Sequence, residues 1–237
     1  MFFFDPTWFV FALPAMIFAM WAQWRVKSSF NKWSQVPTAK RVNGMDVART
    51  LMQNEGLTHV QVERIAGMLT DHYDPRGKVM RLSESSVQPS VAAAAIVAHE
   101  LGHAAQDQEG YFWLRARSSI VGVANIGSNL GSLLFFVGLM FGALSGGGSG
   151  RIGYTIAVFG VILFAGAVAF TLVTLPVEFN ASARAREMLA RNGLVTAEES
   201  AGVNAVLNAA ALTYVAAAAQ SVAQLLYFIT ILGRRRD

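Results

Sequence analysis

Five consecutive residues, His99-Glu100-Leu101-Gly102-His103, concentrate more chemically capable side chains than any other stretch of this 237-residue sequence. Histidines four apart lie on one face of an α-helix, so both imidazoles can be aimed at a single metal ion. The chain has no cysteine, which leaves only His, Asp and Glu to hold such an ion. Glu100 adjoins the first histidine and can reach a water molecule without acting as a ligand. A Lewis-acidic ion such as Zn2+ lowers the pKa of water, and a carboxylate so placed can take the proton and pass it to a leaving amine. The chemistry expected from these residues is zinc-assisted hydrolysis of a peptide bond, with His99 and His103 as metal ligands and Glu100 as general base.

Two histidines do not complete a catalytic zinc site, which normally has three protein ligands. The other two histidines, His59 and His72, lie upstream, and the positions where a third downstream histidine would extend the motif hold Gln106 and Glu109. The third ligand is therefore sought among carboxylates. Glu178 is the strongest candidate, because it follows an apolar segment directly, where an isolated charge is expensive unless it has work to do. The plainer alternative is an acid in the first turn of a polar helix. His72 and Tyr214 are candidates for stabilising the oxyanion. Against those roles stand a structural histidine bonded to Asp71 or Asp74, and a tyrosine that merely packs in an Ala-rich helix. Arg184 can bind a substrate carboxylate or support a ligand, or simply anchor the chain at a membrane face.

The elements that must position these groups are legible in outline. Ser90 is a good N-cap for an Ala-rich helix over 91–108, stopped by Gly110, and this helix carries both histidines. Val47, Ala48, Leu51 and Met52 have helical spacing within 43–54. Residues 59–65 and 78–82 alternate as strands, with Asp74-Pro75-Arg76-Gly77 as a turn before the second, which is expected beside the active site. Together these define a catalytic domain over 25–119, with a helical segment over 176–204 bringing Glu178.

The remainder is too apolar for a soluble protein. Apolar residues make up 54% and charged residues 14%, against about 25% charged in soluble domains, and mean hydropathy is +0.40. Residues 1–24 are expected to form a retained anchor; a cleaved signal peptide fits less well, because no Lys or Arg precedes the apolar stretch. Pro14 is a candidate kink. Residues 120–175 form a hairpin of two spans around the 145–150 turn (SGGGSG), and Gly127/Gly131 and Gly138/Gly142 suit close helix packing. Residues 205–237 contain either a fourth span or a helix that packs on the catalytic domain. Because two spans separate the histidine motif from Glu178, both fall on one side of the membrane. The net charge of +4 comes from basic residues flanking apolar segments, which suits a lipid bilayer and not nucleic acid. Arg25, Lys27, Lys32, Lys40 and Arg41 after the first span put the catalytic domain on the cytoplasmic side of the cell (inner) membrane, whereas Arg234, Arg235 and Arg236 disagree if a fourth span is complete.

Four blocks, HELGHAAQ (99–106), LTDHYDPRGKVMRLS (69–83), TLPVEFNASARA (174–185) and LNAAALTYVAAA (207–218), resemble the YugP-type neutral zinc metallopeptidases of bacterial membranes, in the family's order and across nearly the whole chain. The resemblance implies an α-helical multi-pass membrane protein with a small α+β zincin (gluzincin-like) catalytic domain. It also implies His99, His103 and Glu178 around zinc, with Glu100 as base. The EFNASARA stretch is similar to one in HtpX-type membrane proteases that carries Asp where this chain has Ser182, so any outer support for a ligand histidine is weaker here. Family analogy and location suggest membrane-associated or misfolded protein substrates, with a membrane-protein complex or homo-oligomer as a further partner. A zinc-binding, non-proteolytic scaffold or regulator is the alternative, and the intact Glu100 argues against it. A transporter is disfavoured because the spans lack internal charge.

Overall fold

The computed structural model describes residues 6–144 and 148–234. In chain order the elements are α1 (Pro6–Ser34), α2 (Gly44–Asn54), β1 (Gln61–Ile65), β2 (His72–Asp74), β3 (Val79–Ser83), α3 (Val91–Gln108), α4 (Phe112–Leu144), α5 (Gly148–Arg191) and α6 (Ala197–Gly233), with a short 3-10 turn at Glu84–Ser86. Helices α1, α4, α5 and α6 are long and apolar enough to cross a membrane. The contacts divide the chain into two compact units. One comprises Ala22–Arg115 and Leu175–Thr213; the other comprises Met1–Trp21, Ala116–Thr174 and Tyr214–Asp237.

The first unit holds the sheet and the histidine helix. Asn43 starts α2 through a capping box: its side chain accepts from Asp46 N at 3.0 Å, and the Asp46 carboxylate accepts from Asn43 N. Val47, Ala48 and Leu51 then turn into the core. The sheet has the order β1-β3-β2, with β1 parallel and β2 antiparallel to β3. Asp74-Pro75-Arg76-Gly77 makes the expected turn, stabilised by Arg76 N donating to Asp74 Oδ1 at 2.9 Å. The strand expected over 78–82 is β3, but it is central and buried on both faces except at Arg81. Just beyond the expected range, Ser83 is buried at no cost in lost bonds, because the Asp71 carboxylate accepts from both its hydroxyl and its backbone N–H, at 2.8 and 2.7 Å. Strand β2 went unanticipated, being three residues that pair only through β3.

Helix α3 begins and ends where its caps require. Ser90 Oγ accepts from Ala93 N at 3.2 Å, and at the far end Gly110 takes φ +65° while Tyr111 N donates to Gln106 O at 2.8 Å. Ala92, Ala93, Ala95 and Ala98 are fully buried, so neighbouring elements close in on nearly every side of it. The core around it is formed by Leu51, Leu57, Met80, Leu82, Leu101, Leu189 and Leu207. Helix α5 runs without a break from its apolar stretch through Pro176 to Glu178 and beyond, so the segment expected as a separate helix continues the preceding span.

In the second unit the glycines bring α4 against α5. A methyl group on Gly131 would meet Gly160 O at 2.8 Å, and one on Gly138 would meet Gly153 O at 2.5 Å. The small residues therefore serve the intrachain hairpin. Phe135 and Phe228 stack at 3.9 Å between centroids. Of the expected 145–150 turn, residues 148–150 are helical; residues 145–147, like Asp5, Arg235 and Arg236, lie outside the described residues.

Candidate metal centre

One crossing, α3 over α5, builds the site. Gly102 faces Ala181 so closely that an added Cβ would lie 2.6 Å from the Ala181 carbonyl oxygen. On either side of this contact, His99 and His103 project from α3 and Glu178 and Ser182 from α5. His99 Nε2 lies 3.2 Å and His103 Nε2 3.5 Å from Glu178 Oε2, and the donor atoms of all three residues lie within 4.8 Å of one another. The rings stand nearly perpendicular, at 83°, with centroids 4.8 Å apart.

These spacings suit zinc. Zinc–ligand bonds of about 2.0–2.1 Å arranged tetrahedrally put neighbouring donors about 3.3 Å apart, close to the two observed separations. Burial is equally suggestive. Glu178 and Glu100 are 1% and 8% exposed, and two carboxylates withdrawn from water call for a cation among them. Burial alone would lower the pKa of His103, yet the Glu178 carboxylate, with a smaller share from Glu100, outweighs it and holds the ring above its ordinary value. The pocket therefore favours positive charge.

Each histidine is also held from behind. His99 Nδ1 meets Ser182 Oγ at 3.2 Å, and His103 Nδ1 meets Gln106 Oε1 at 3.0 Å. Gln106 is fully buried, and its Nε2 donates to Val177 O at 2.8 Å and to Asn180 Oδ1 at 2.9 Å. Asn180 Oδ1 also accepts from Arg184 Nε at 2.8 Å, while the Arg184 guanidinium forms a two-pronged pair with Glu109 at 2.7 and 2.6 Å. Arg184 is thus engaged by Glu109 of this chain.

His72 lies outside this cluster. His72 is exposed on edge strand β2, where Nδ1 meets Thr70 O at 3.0 Å and Nε2 lies 3.4 Å from Arg81, itself paired with Glu63. Neither Asp71 nor Asp74 binds it. Strand residues alternate between faces, and the next residue, Tyr73, donates to Asp107 of α3 at 2.7 Å, so His72 points to the sheet face away from α3. Tyr214 is half-buried on α6 in the other compact unit. Sequence reasoning missed Gln106 and Asn180. The available signal was a polar residue one helical turn after a ligand histidine, on an otherwise apolar helix.

A largely helical protein with, among the described residues, four helices long and apolar enough to cross a membrane, and a buried His/His/Glu centre whose spacing suits zinc, defines a class: membrane proteins with a candidate zinc site. The chain belongs to the family described as "Putative neutral zinc metallopeptidase", which matches residues 8–233. It is 44% identical over 231 residues to the "Putative membrane protease YugP" of Bacillus subtilis (strain 168), covering 97% of this chain and 98% of that protein. No solved structure matches it.

Proposed function

We propose that this protein is a membrane-embedded zinc metallopeptidase of gluzincin type, in which His99, His103 and Glu178 hold the metal and Glu100 is the general base. The observation that carries the reading is the approach of both imidazole Nε2 atoms to one Glu178 oxygen, at 3.2 and 3.5 Å. Zinc held there supplies Lewis-acid chemistry, polarising a peptide carbonyl and acidifying water. The chain's own residues do the rest. Glu100 accepts a proton from the attacking water and returns it to the leaving amine. Ser182 and Gln106 hold the backs of the two imidazoles.

Membrane-associated or misfolded proteins are the proposed substrates, on the strength of the four apolar helices and of a relative named as a membrane protease. The proposed orientation puts the unit containing the histidines in the cytoplasm, supported by the five basic residues after the first span. Glu100→Gln tests the function. The amide cannot accept the proton, so the variant should fold and bind zinc like the wild type while proteolysis falls by about 100-fold or more. Undiminished cleavage by a preparation free of other proteases would remove the mechanism, and zinc binding without any cleavage by the wild type would favour a scaffold.

A further inference from the structure

We propose that Gln106 is the positioning residue for the metal ligand His103, and that Asn180 and Arg184 orient it for that task. The inference rests on the zinc reading above. It starts from what the Gln106 amide can and cannot do. Its Nε2 is committed as a donor to two acceptors, Val177 O and Asn180 Oδ1. The amide therefore cannot be turned over without putting its oxygen against both of them. Oε1 is left facing His103 Nδ1 at 3.0 Å, and an oxygen there accepts. His103 must accordingly carry its proton on Nδ1, which leaves the Nε2 lone pair directed to the side where Glu178 lies.

Asn180 is fixed by the same logic. Its Oδ1 accepts from Gln106 Nε2 and from Arg184 Nε, and Arg184 is held in turn by both oxygens of Glu109. Two donors thus converge on Asn180 Oδ1, from the half-buried Arg184 on one side and the buried Gln106 on the other, and His103 Nδ1 donates in turn to Gln106 Oε1. Carboxylates behind ligand histidines are common and raise ligand basicity. Here both histidines rest on neutral oxygens, Ser182 Oγ and Gln106 Oε1. That choice keeps further negative charge away from a pocket that already buries Glu100 and Glu178.

The test compares zinc affinity, by competition with a chelator, in full-length protein carrying Gln106→Met or Gln106→Glu. Methionine fills the space but accepts no such bond, so affinity should fall by about 10–100-fold. Glutamate restores an acceptor for His103 Nδ1 but sets its second oxygen against Val177 O and Asn180 Oδ1, so it should recover part of the affinity that methionine loses. A residue that merely braced α3 against α5 would give the reverse order, with Gln106→Glu at least as impaired as Gln106→Met. That order, or wild-type affinity in Gln106→Met, overturns the proposal. If Gln106→Met does not fold, zinc-loaded wild type labelled with 15N at its four histidines gives the answer. The His103 Nδ1 proton should appear as a hydrogen-bonded, slowly exchanging signal, and its absence with zinc still bound overturns the proposal. A wild type that binds no zinc removes the functional reading itself, and this inference with it.

Discussion

Gly102 and Ala181 are in backbone contact at the crossing of α3 and α5, where an added Cβ on the glycine would stand 2.6 Å from the alanine carbonyl oxygen. The obstacle is backbone, not the end of a flexible side chain, so it cannot swing aside. Gly102→Ala should separate the two helices and destabilise the fold by about 1–3 kcal/mol, the usual range for overpacking. Because the separation also draws Glu178 away from both histidines, zinc content should fall along with the melting temperature. A variant with wild-type zinc affinity would show that the crossing does not set the ligand distances.

The ligand assignment distinguishes two glutamates. Glu178 is 1% exposed with its oxygen shared between two imidazoles, whereas Glu109 lies outside the cluster in an exposed pair with Arg184. Purified protein should bind one zinc per chain. Glu178→Ala should lose most of it, and Glu109→Ala should keep it. Full zinc in Glu178→Ala would take that residue out of the coordination sphere.

Tyr73 gives the unit that holds the histidines a measurable response to alkali. Burial first, and then the hydrogen bond to Asp107, raise its pKa well above the ordinary value. The folded protein therefore retains a proton that the unfolded chain releases near about pH 10. The stability linked to this group is fully present below that pH and is lost as pH climbs towards the raised folded value. Tyr73→Phe should remove this part of the alkaline slope, at a cost of about 1 kcal/mol for the missing hydrogen bond at neutral pH. Denaturant unfolding across alkaline pH measures both, and an unchanged slope in the variant would count against the assignment.

Orientation in the membrane can be read with single cysteines, since the chain has none of its own. An impermeant thiol reagent on intact cells should label Gly148→Cys and spare Gln35→Cys, given the basic residues after the first span. Labelling at 35 but not at 148 would invert the proposed topology. Asp237→Cys decides the last helix: labelling there means that α6 crosses and leaves three arginines outside.

Much of this molecule is written locally. The caps at Ser90 and Gly110 fall where the sequence puts them, because each rests on bonds between residues a few positions apart. Helical periodicity alone sets His99 and His103 on one face, and the apolar runs announce four long helices. What the sequence left open depends on contacts between distant residues. Glu178 meets His99 across 79 positions, and only the close approach of Gly102 to Ala181 brings the two together. His72, promising beside its charged neighbours, is turned away by the register of β2 on β3, which no local pattern specifies. Gln106 carried no visible role until α5 supplied Val177 and Asn180 as acceptors for its amide. Chain chemistry thus chose the donors for a metal, whereas helix packing determined which of them converge and which nitrogen of His103 holds its proton.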